Sequence, residues 1–204
     1  MRSILIHCAM EKEGTKIANK LNLIKKEETK LITIYEGISK ETKINLVITG
    51  IGKQRTAIGL TIYLNQNIKP DIIINIGYAG STNEKIGNWI NISKSYNLEW
   101  YIPGEEKYEM QEIKSKELEA VEELKKLPCY SAECFVTNTD IKENVIFDME
   151  LHSVYILSNI YNIPLLSLKK VTDNLNMKDY YSNIEQKEVM ELESSIKYIE
   201  KYII

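Results

Sequence analysis

The sequence is short of guanidinium groups. Of its 26 basic residues only Arg2 and Arg55 are arginine, so bidentate clamping of a phosphate has almost nothing to draw on. Cysteine is scarce too. Cys8, Cys129 and Cys134 form an odd set with no CxxC pair, and His7 and His152 lie far apart. A zinc site cannot be assembled from Cys and His alone, and free thiols point to a reducing, cytoplasmic compartment. No run approaches the roughly 20 apolar residues of a membrane helix. "SILIHCAM" is short, is preceded by a single Arg and is broken by Glu11, which reads as a core strand rather than a signal peptide. The net charge of −3 supplies no attraction to nucleic acid or anionic membrane. The phosphate-loop spacings GxxxxGK[ST] and GxGxxG are absent, as are internal repeats, low-complexity tracts and linkers.

What is present is an ordinary globular composition, 44% hydrophobic and 27% charged over 204 residues, which suits one domain spanning residues 1–204. The continuous apolar run 3–10 predicts a strand covered on both faces, followed from about Lys12 by a helix with Ile17 and Leu21 inward. "KLITIYEGI" and "KINLVITGI" pair as a hairpin or meander. "KQRTAIGLTIYLNQN" is helical, with Ala57, Leu60, Ile62 and Leu64 partly buried, and "DIIINIGYAGS" opens with a buried strand. "NWINISKSY" is a strand and 96–112 a polar loop. "SKELEAVEELKKL" has helical spacing through Leu118, Val121 and Leu124. "SAECFVT" is a strand, 148–162 a helix, "LLSLKKVT" a strand, and 183–202 a terminal helix with Val189, Leu192, Ile196 and Ile199 inward. The alternation predicts an α/β fold, a single domain with a central mixed, largely buried β-sheet flanked by helices.

Three acids occupy comparable places. Glu13 follows the first strand, Glu150 lies in the first turn of the helix beginning near Asp148, and Asp173 follows "LLSLKKVT". Ligands of open α/β sheets gather at such strand ends. Taken singly, each acid reads equally as a helix cap or a solvated loop residue, and Asp148 is a good N-cap. Two glycine loops, "TGIGKQ" (49–54) and "NIGYAGS" (75–81), allow close backbone approach to a ligand, or are simply tight turns.

The ordered set "AMEKE" (9–13), "TGIGK" (49–53), "DIIINIGYAGS" (71–81), "DMEL" (148–151) and "VTD" (171–173) resembles the bacterial 5'-methylthioadenosine/S-adenosylhomocysteine nucleosidases, of the purine nucleoside and uridine phosphorylase superfamily. The resemblance implies a nucleoside phosphorylase/nucleosidase-like fold and an N-ribosyl hydrolase that releases adenine from a thionucleoside. It implies a nucleoside and water as partners, no metal or organic cofactor, and a homodimer in which a partner loop completes the site. It makes Glu13, not Glu11, the acid that orients water. Glu150 of the Met149-Glu150 pair faces ribose hydroxyls, and Asp173 of Thr172-Asp173 faces the purine. Ile51, Tyr78, Ala79, Gly80, Ile141, Lys169 and Thr172 join Met149 in contacting substrate.

The residue types suit the chemistry. Breaking an N-glycosidic bond builds positive charge on the sugar and negative charge on the base, so an acid of raised pKa belongs at the purine and carboxylates belong about the sugar. Three positions and one loop depart from the family. Tyr78 stands where a Ser or Thr is usual, and Lys169 where an Arg is. "FVTNTDIKEN" (135–144) leaves Ile141 at the place of a stacking aromatic. The loop at 96–112 is short and lacks the family's Arg-Tyr-His-type sequence, which leaves Tyr101 and Pro103 as the residues expected at the alkylthio end. Two alternatives stay open: a phosphorylase, disfavoured by the scarcity of Arg, and a catalytically weak nucleoside-binding protein, disfavoured by the intact acid trio.

Overall fold

The computed structural model describes residues 1–104, 109–112, 121–186 and 191–203. Its strands are β1 (Arg2–Cys8), β2 (Ile24–Glu28), β3 (Thr33–Ser39), β4 (Thr42–Ile48), β5 (Ile72–Ser81), β6 (Trp89–Asn97), β7 (Glu109–Glu112), β8 (Lys125–Ser131), β9 (Ile146–Asp148) and β10 (Leu165–Asp173). The helices are α1 (Glu11–Lys20), α2 (Lys53–Gln66), α3 (Leu151–Ile160), α4 (Met177–Ile184) and α5 (Ile196–Ile203). One mixed sheet runs β10-β6-β8-β9-β5-β1-β4-β3-β2, with β7 on β6. Because β10 also pairs with β5, strands β5, β10, β6, β8 and β9 close into a ring, and β1, β4, β3 and β2 extend from it as an open flank.

The long apolar strands are buried on both faces, as a covered sheet requires. In β5, Ile72, Ile74, Ile76 and Tyr78 pack into one core with Ile17 of α1 and Ile199 of α5. Ile73 and Ala79 point into the other core, against Leu60 of α2 and Val154 of α3.

Two irregularities create the place for a ligand. One edge of β5 is shared: β1 pairs with Ile72–Asn75 and β9 only with Gly80 and Ser81, so residues 76–79 on that edge have no strand beside them. On the other edge β10 shifts register between Val171 and Asp173. This bulge makes Thr172 the extra residue and turns the following side chain, as bulges beside functional sites do.

Several sequence expectations are corrected. The strand expected at "SAECFVT" lies earlier, at Lys125–Ser131, so the helix through "SKELEAVEELKKL" cannot continue to Leu127, and residues 113–120 lie outside the described part. Pro128 sits where β8 and β6 slip register, a position a strand proline tolerates. The polar segment 96–112 contains the end of β6 and the whole of β7. The helix expected from Asp148 begins at Leu151, because Ile146–Asp148 is already committed to β9. The single terminal helix is instead α4, a 3₁₀ turn at Leu192–Ser195 and α5. Leu192, Ile196 and Ile199 are buried as expected, and Val189 lies outside the described residues. Strand β2, "IKKEE", was unforeseen because it is exposed along its whole length.

An ion pair ties the ring together from inside. Lys169 Nζ of β10 lies 2.7 Å from Asp148 Oδ2 of β9, both side chains fully shielded from water. Burial alone would raise the Asp148 carboxyl, but the Lys169 ammonium and the hydroxyl of Ser131 outweigh it and hold the group below the ordinary carboxylate range. Its stabilisation is therefore present above the unfolded carboxylate pKa of about 4 and lost as pH falls below it. Lys169→Met, which strands a buried carboxylate, should lower the unfolding free energy by about 3–5 kcal/mol. Adding Asp148→Asn should return most of that loss. An unchanged urea midpoint in the single variant would refute the account.

Candidate active site

A cavity of about 330 Å³ opens where β1, β5, β9 and β10 end, and Glu13, Glu150 and Asp173 all line it. Glu13 comes from the first turn of α1. Its Oε2 accepts from the backbone N–H of Ala9 (3.1 Å) and Met10 (2.8 Å), and its Oε1 from that of Tyr78 (2.9 Å). The carboxylate thus serves the β5 edge that no strand covers. Only 2% of Glu13 is exposed. Burial pushes its pKa up, against the pull of those N–H groups and of Lys169.

Glu150 precedes α3 without capping it. Asp148 does that work instead, its Oδ2 accepting from Leu151 N at 2.9 Å. Glu150 Oε1 reaches across to Gly52 N at 2.9 Å. Gly52 has φ +105°, a conformation that disfavours any side chain, and its N–H, just ahead of α2, donates to Glu150. Burial, with the Asp148 charge beside it, pushes Glu150 up to about 8 against the opposing pull of Lys169 and the Gly52 N–H.

Asp173 lies at the β10 bulge. Its Oδ2 accepts from Thr172 Oγ1 (2.8 Å) and its Oδ1 from Asn176 N (3.3 Å). Thr172 Oγ1 is also 3.1 Å from Ala79 O. A Cβ on Gly80 would stand 3.0 Å from Asp173 Oδ1, so the second glycine loop is what admits this carboxyl against β5. Burial raises its pKa, opposed by Thr172 and two backbone N–H groups.

Ile51, Tyr78, Ala79, Gly80, Met149 and Thr172 line the same cavity. Two residues expected there do not. Lys169 lies behind the wall on Asp148, because its charge is consumed in the buried pair. Ile141 sits in the irregular run after β8 and outside the lining, and Phe135 provides an aromatic six residues earlier. Since β8 ends at Ser131, the segment after it is free to turn Phe135 inward. Tyr180 packs edge-on against Phe135 with ring centroids 5.5 Å apart. Asp148, expected as a helix cap, also lines the cavity, as do Lys12, Phe147, Met177 and Tyr181, which escaped the sequence reading. Two adjacent tyrosines on α4, a short helix with no buried residue, were the available signal. Tyr101 is exposed and, like Pro103, is outside the lining.

Neither arginine reaches the cavity. Arg2 stands over the Tyr202 ring. Arg55 lines an adjoining open groove of about 420 Å³, reached past Ala9, Met10 and Ile51, which both spaces share. At the α2 N-terminus, where an anion is favoured, Glu133 Oε1 already accepts from Gln54 N at 3.2 Å. Among the described residues no cluster of His, Cys, Asp and Glu could hold a metal ion, and no helix is long and apolar enough to cross a membrane.

A 5'-methylthioadenosine/S-adenosylhomocysteine nucleosidase of Staphylococcus aureus (strain bovine RF122 / ET3-1) is 40% identical over 78 residues, which are 38% of this chain and 34% of the relative. The aligned stretch therefore spans about a third of that relative's length. Among solved structures, the apo 5'-methylthioadenosine nucleosidase of Arabidopsis thaliana superposes with TM-score 0.86 at 22% identity, covering 100% of this chain and 96% of that one. A futalosine hydrolase mutant of Helicobacter pylori gives TM-score 0.82 at 18% identity, covering 100% and 99%. At these identities the two likenesses bear on the fold. The model of the phosphorylase superfamily matches residues 3–127, more than half of the sequence, and the chain belongs to that superfamily.

Proposed function

We propose that this chain is an N-ribosyl hydrolase that releases adenine from a 5'-thionucleoside, 5'-methylthioadenosine or S-adenosylhomocysteine. The observation that carries the reading is the convergence of Glu13, Glu150 and Asp173, from three distant segments, on one cavity with no guanidinium in its lining. Its volume falls in the range of small-molecule sites. Asp173, raised by burial, is suited to protonate the departing purine. Glu13, fixed by three N–H donors, takes the proton of the attacking water as the bond from sugar to base breaks. Glu150 accepts from ribose hydroxyls and, once ionised, stabilises the oxocarbenium-like sugar. Met149 lies against the ribose and Phe135 against the base.

The lack of a phosphate clamp favours water over phosphate as acceptor, as does the presence of Glu133 on the α2 N-terminus. Adenine release from 5'-methylthioadenosine should be indifferent to added phosphate. A strict phosphate requirement, with ribose 1-phosphate as product, would overturn hydrolysis in favour of phosphorolysis.

The proposal includes a cytoplasmic location, in keeping with the free cysteines, and a homodimer. Ile51, 49% exposed at the cavity rim, is the apolar surface that a second copy would cover. Light scattering should give twice the chain mass, and a monomer mass would remove this element of the proposal.

The acids give separable expectations. Asp173→Asn and Glu13→Gln should each lower turnover by about 10²–10⁴-fold, while Glu11→Gln, on the exposed side of α1, should stay near the parent. Parental rates in both of the first two variants would end the catalytic assignment. Glu150→Gln should weaken binding and turnover together, and it should also change stability in a pH-dependent way. With the pKa raised from 4.5 to about 8, the folded state holds a proton that the unfolded chain has released, so stability falls as pH rises through that window. The Gln variant should therefore melt above the parent near pH 8.5 and gain little near pH 5. Equal melting temperatures at both pH values would count against the raised pKa.

A further inference from the structure

The cavity has two unlike ends. Around Asp173 it continues into a small recess of about 30 Å³ lined by Gly80, Phe135, Phe147 and Leu175. Around Met10 and Ile51 it opens toward the groove that holds Arg55 and Lys30 against a single carboxylate, Glu11. On the nucleosidase reading, on which this inference rests, the purine occupies the Asp173 end and the ribose lies at Glu150. The 5' substituent must then leave past Met10 and Ile51.

At that exit stands Lys12, the one ammonium in the lining among the described residues. Lys12 Nζ lies 3.4 Å from Tyr180 Oη and 5.4 Å from the centre of the Tyr180 ring. The Tyr180 hydroxyl in turn lies 3.9 Å from Met10 Sδ, so the tyrosine spans the mouth from Phe135 to Met10. Lys12 occupies the first turn of α1, the helix end at which a cation is disfavoured by the dipole. Burial of its stem pushes its pKa down. A neutral methylthio group needs only the apolar side chains of Met10, Ile51 and Met177 and gains nothing from an ammonium at the mouth. An anion at the end of a longer tail would gain from Lys12, from the Tyr180 hydroxyl and from the positive helix end together.

We propose that Lys12 and Tyr180 are specificity-determining residues that select nucleosides whose 5' thioether ends in a carboxylate. The carboxylate receives the Lys12 ammonium and the Tyr180 hydroxyl, and the tail lies over Met10 toward the groove. S-Adenosylhomocysteine carries such a carboxylate and 5'-methylthioadenosine does not.

The test is a matched pair of substrates, a 5'-carboxyalkylthioadenosine and its carboxamide of the same length, with kcat/KM measured for each as adenine release. The ratio of the two cancels any general loss of activity. The parent should favour the carboxylate by about tenfold, as a charge-assisted contact implies, and added salt should shrink the preference. Lys12→Met should bring the ratio near one, Lys12→Glu should invert it, Lys12→Arg should keep it, and Tyr180→Phe should reduce it in part. If the parent cleaves both substrates with a ratio near one, or if Lys12→Met leaves the ratio unchanged, the assignment of Lys12 is overturned and the nucleosidase reading stands. If the parent releases adenine from neither substrate nor from 5'-methylthioadenosine, both fall together.

Discussion

The buried pair between Lys169 and Asp148 is the interaction on which the site depends. Each ion alone would be prohibitively costly in the interior, and removing one leaves the other stranded. Asp148 does more than answer the ammonium. Ser131 Oγ, at the end of β8, donates to its Oδ1 at 2.5 Å, and the same hydroxyl accepts from His152 N. Asp148 Oδ2 also accepts from Leu151 N and so starts α3. One carboxylate thereby fixes β8, β9, β10 and the first turn of α3 relative to one another. Glu150 immediately precedes that turn, and the far end of β10 carries Asp173. The Asp148 charge also helps to raise Glu150, so the structural acid tunes the one beside the cavity.

A second constraint is the unfilled length of β5 between β1 and β9. A buried edge must have its N–H groups satisfied, and at Tyr78 a carboxylate satisfies it in place of a strand. The same vacancy that makes room for a ligand therefore binds Glu13 into the sheet. Glu13 is held by the backbone of two segments remote in sequence, and its position follows from the strand order rather than from α1 alone.

The long β-branched runs made the frame legible in the sequence. Continuous apolarity at 3–10 and 71–76 and the hairpin spacing at 31–51 correspond to β1, β5, β3 and β4, and the acids at strand ends could be placed from that frame. Elements whose residues carry other duties were harder to read. β9 is three residues long and holds an acid, β8 contains Pro128, and β2 is charged at four of its five positions. The helical spacing of Leu192, Ile196 and Ile199 was real, but periodicity cannot show where a chain pauses in a 3₁₀ turn. In the site, residues next to glycines or strand ends were recoverable. Phe135 and Tyr180 were not, since they enter from an irregular segment and from an exposed helix where no periodicity fixes direction. Lys169 misled because the resemblance sets it where the family has an Arg, while its full burial on Asp148 is a tertiary property.

The charge of β2 has a consequence for how copies of the chain can meet. Its residues Lys25, Lys26, Glu27 and Glu28 are exposed, with Lys25 and Glu28 paired to each other and Lys26 to Glu36 on β3. To add another strand there, an incoming chain would have to strip water from this array, which is how charged edges deter strand addition. The open flank is thus sealed against growth by pairing into longer sheets. Any contact between copies that relied on strand addition at this edge would carry that desolvation cost.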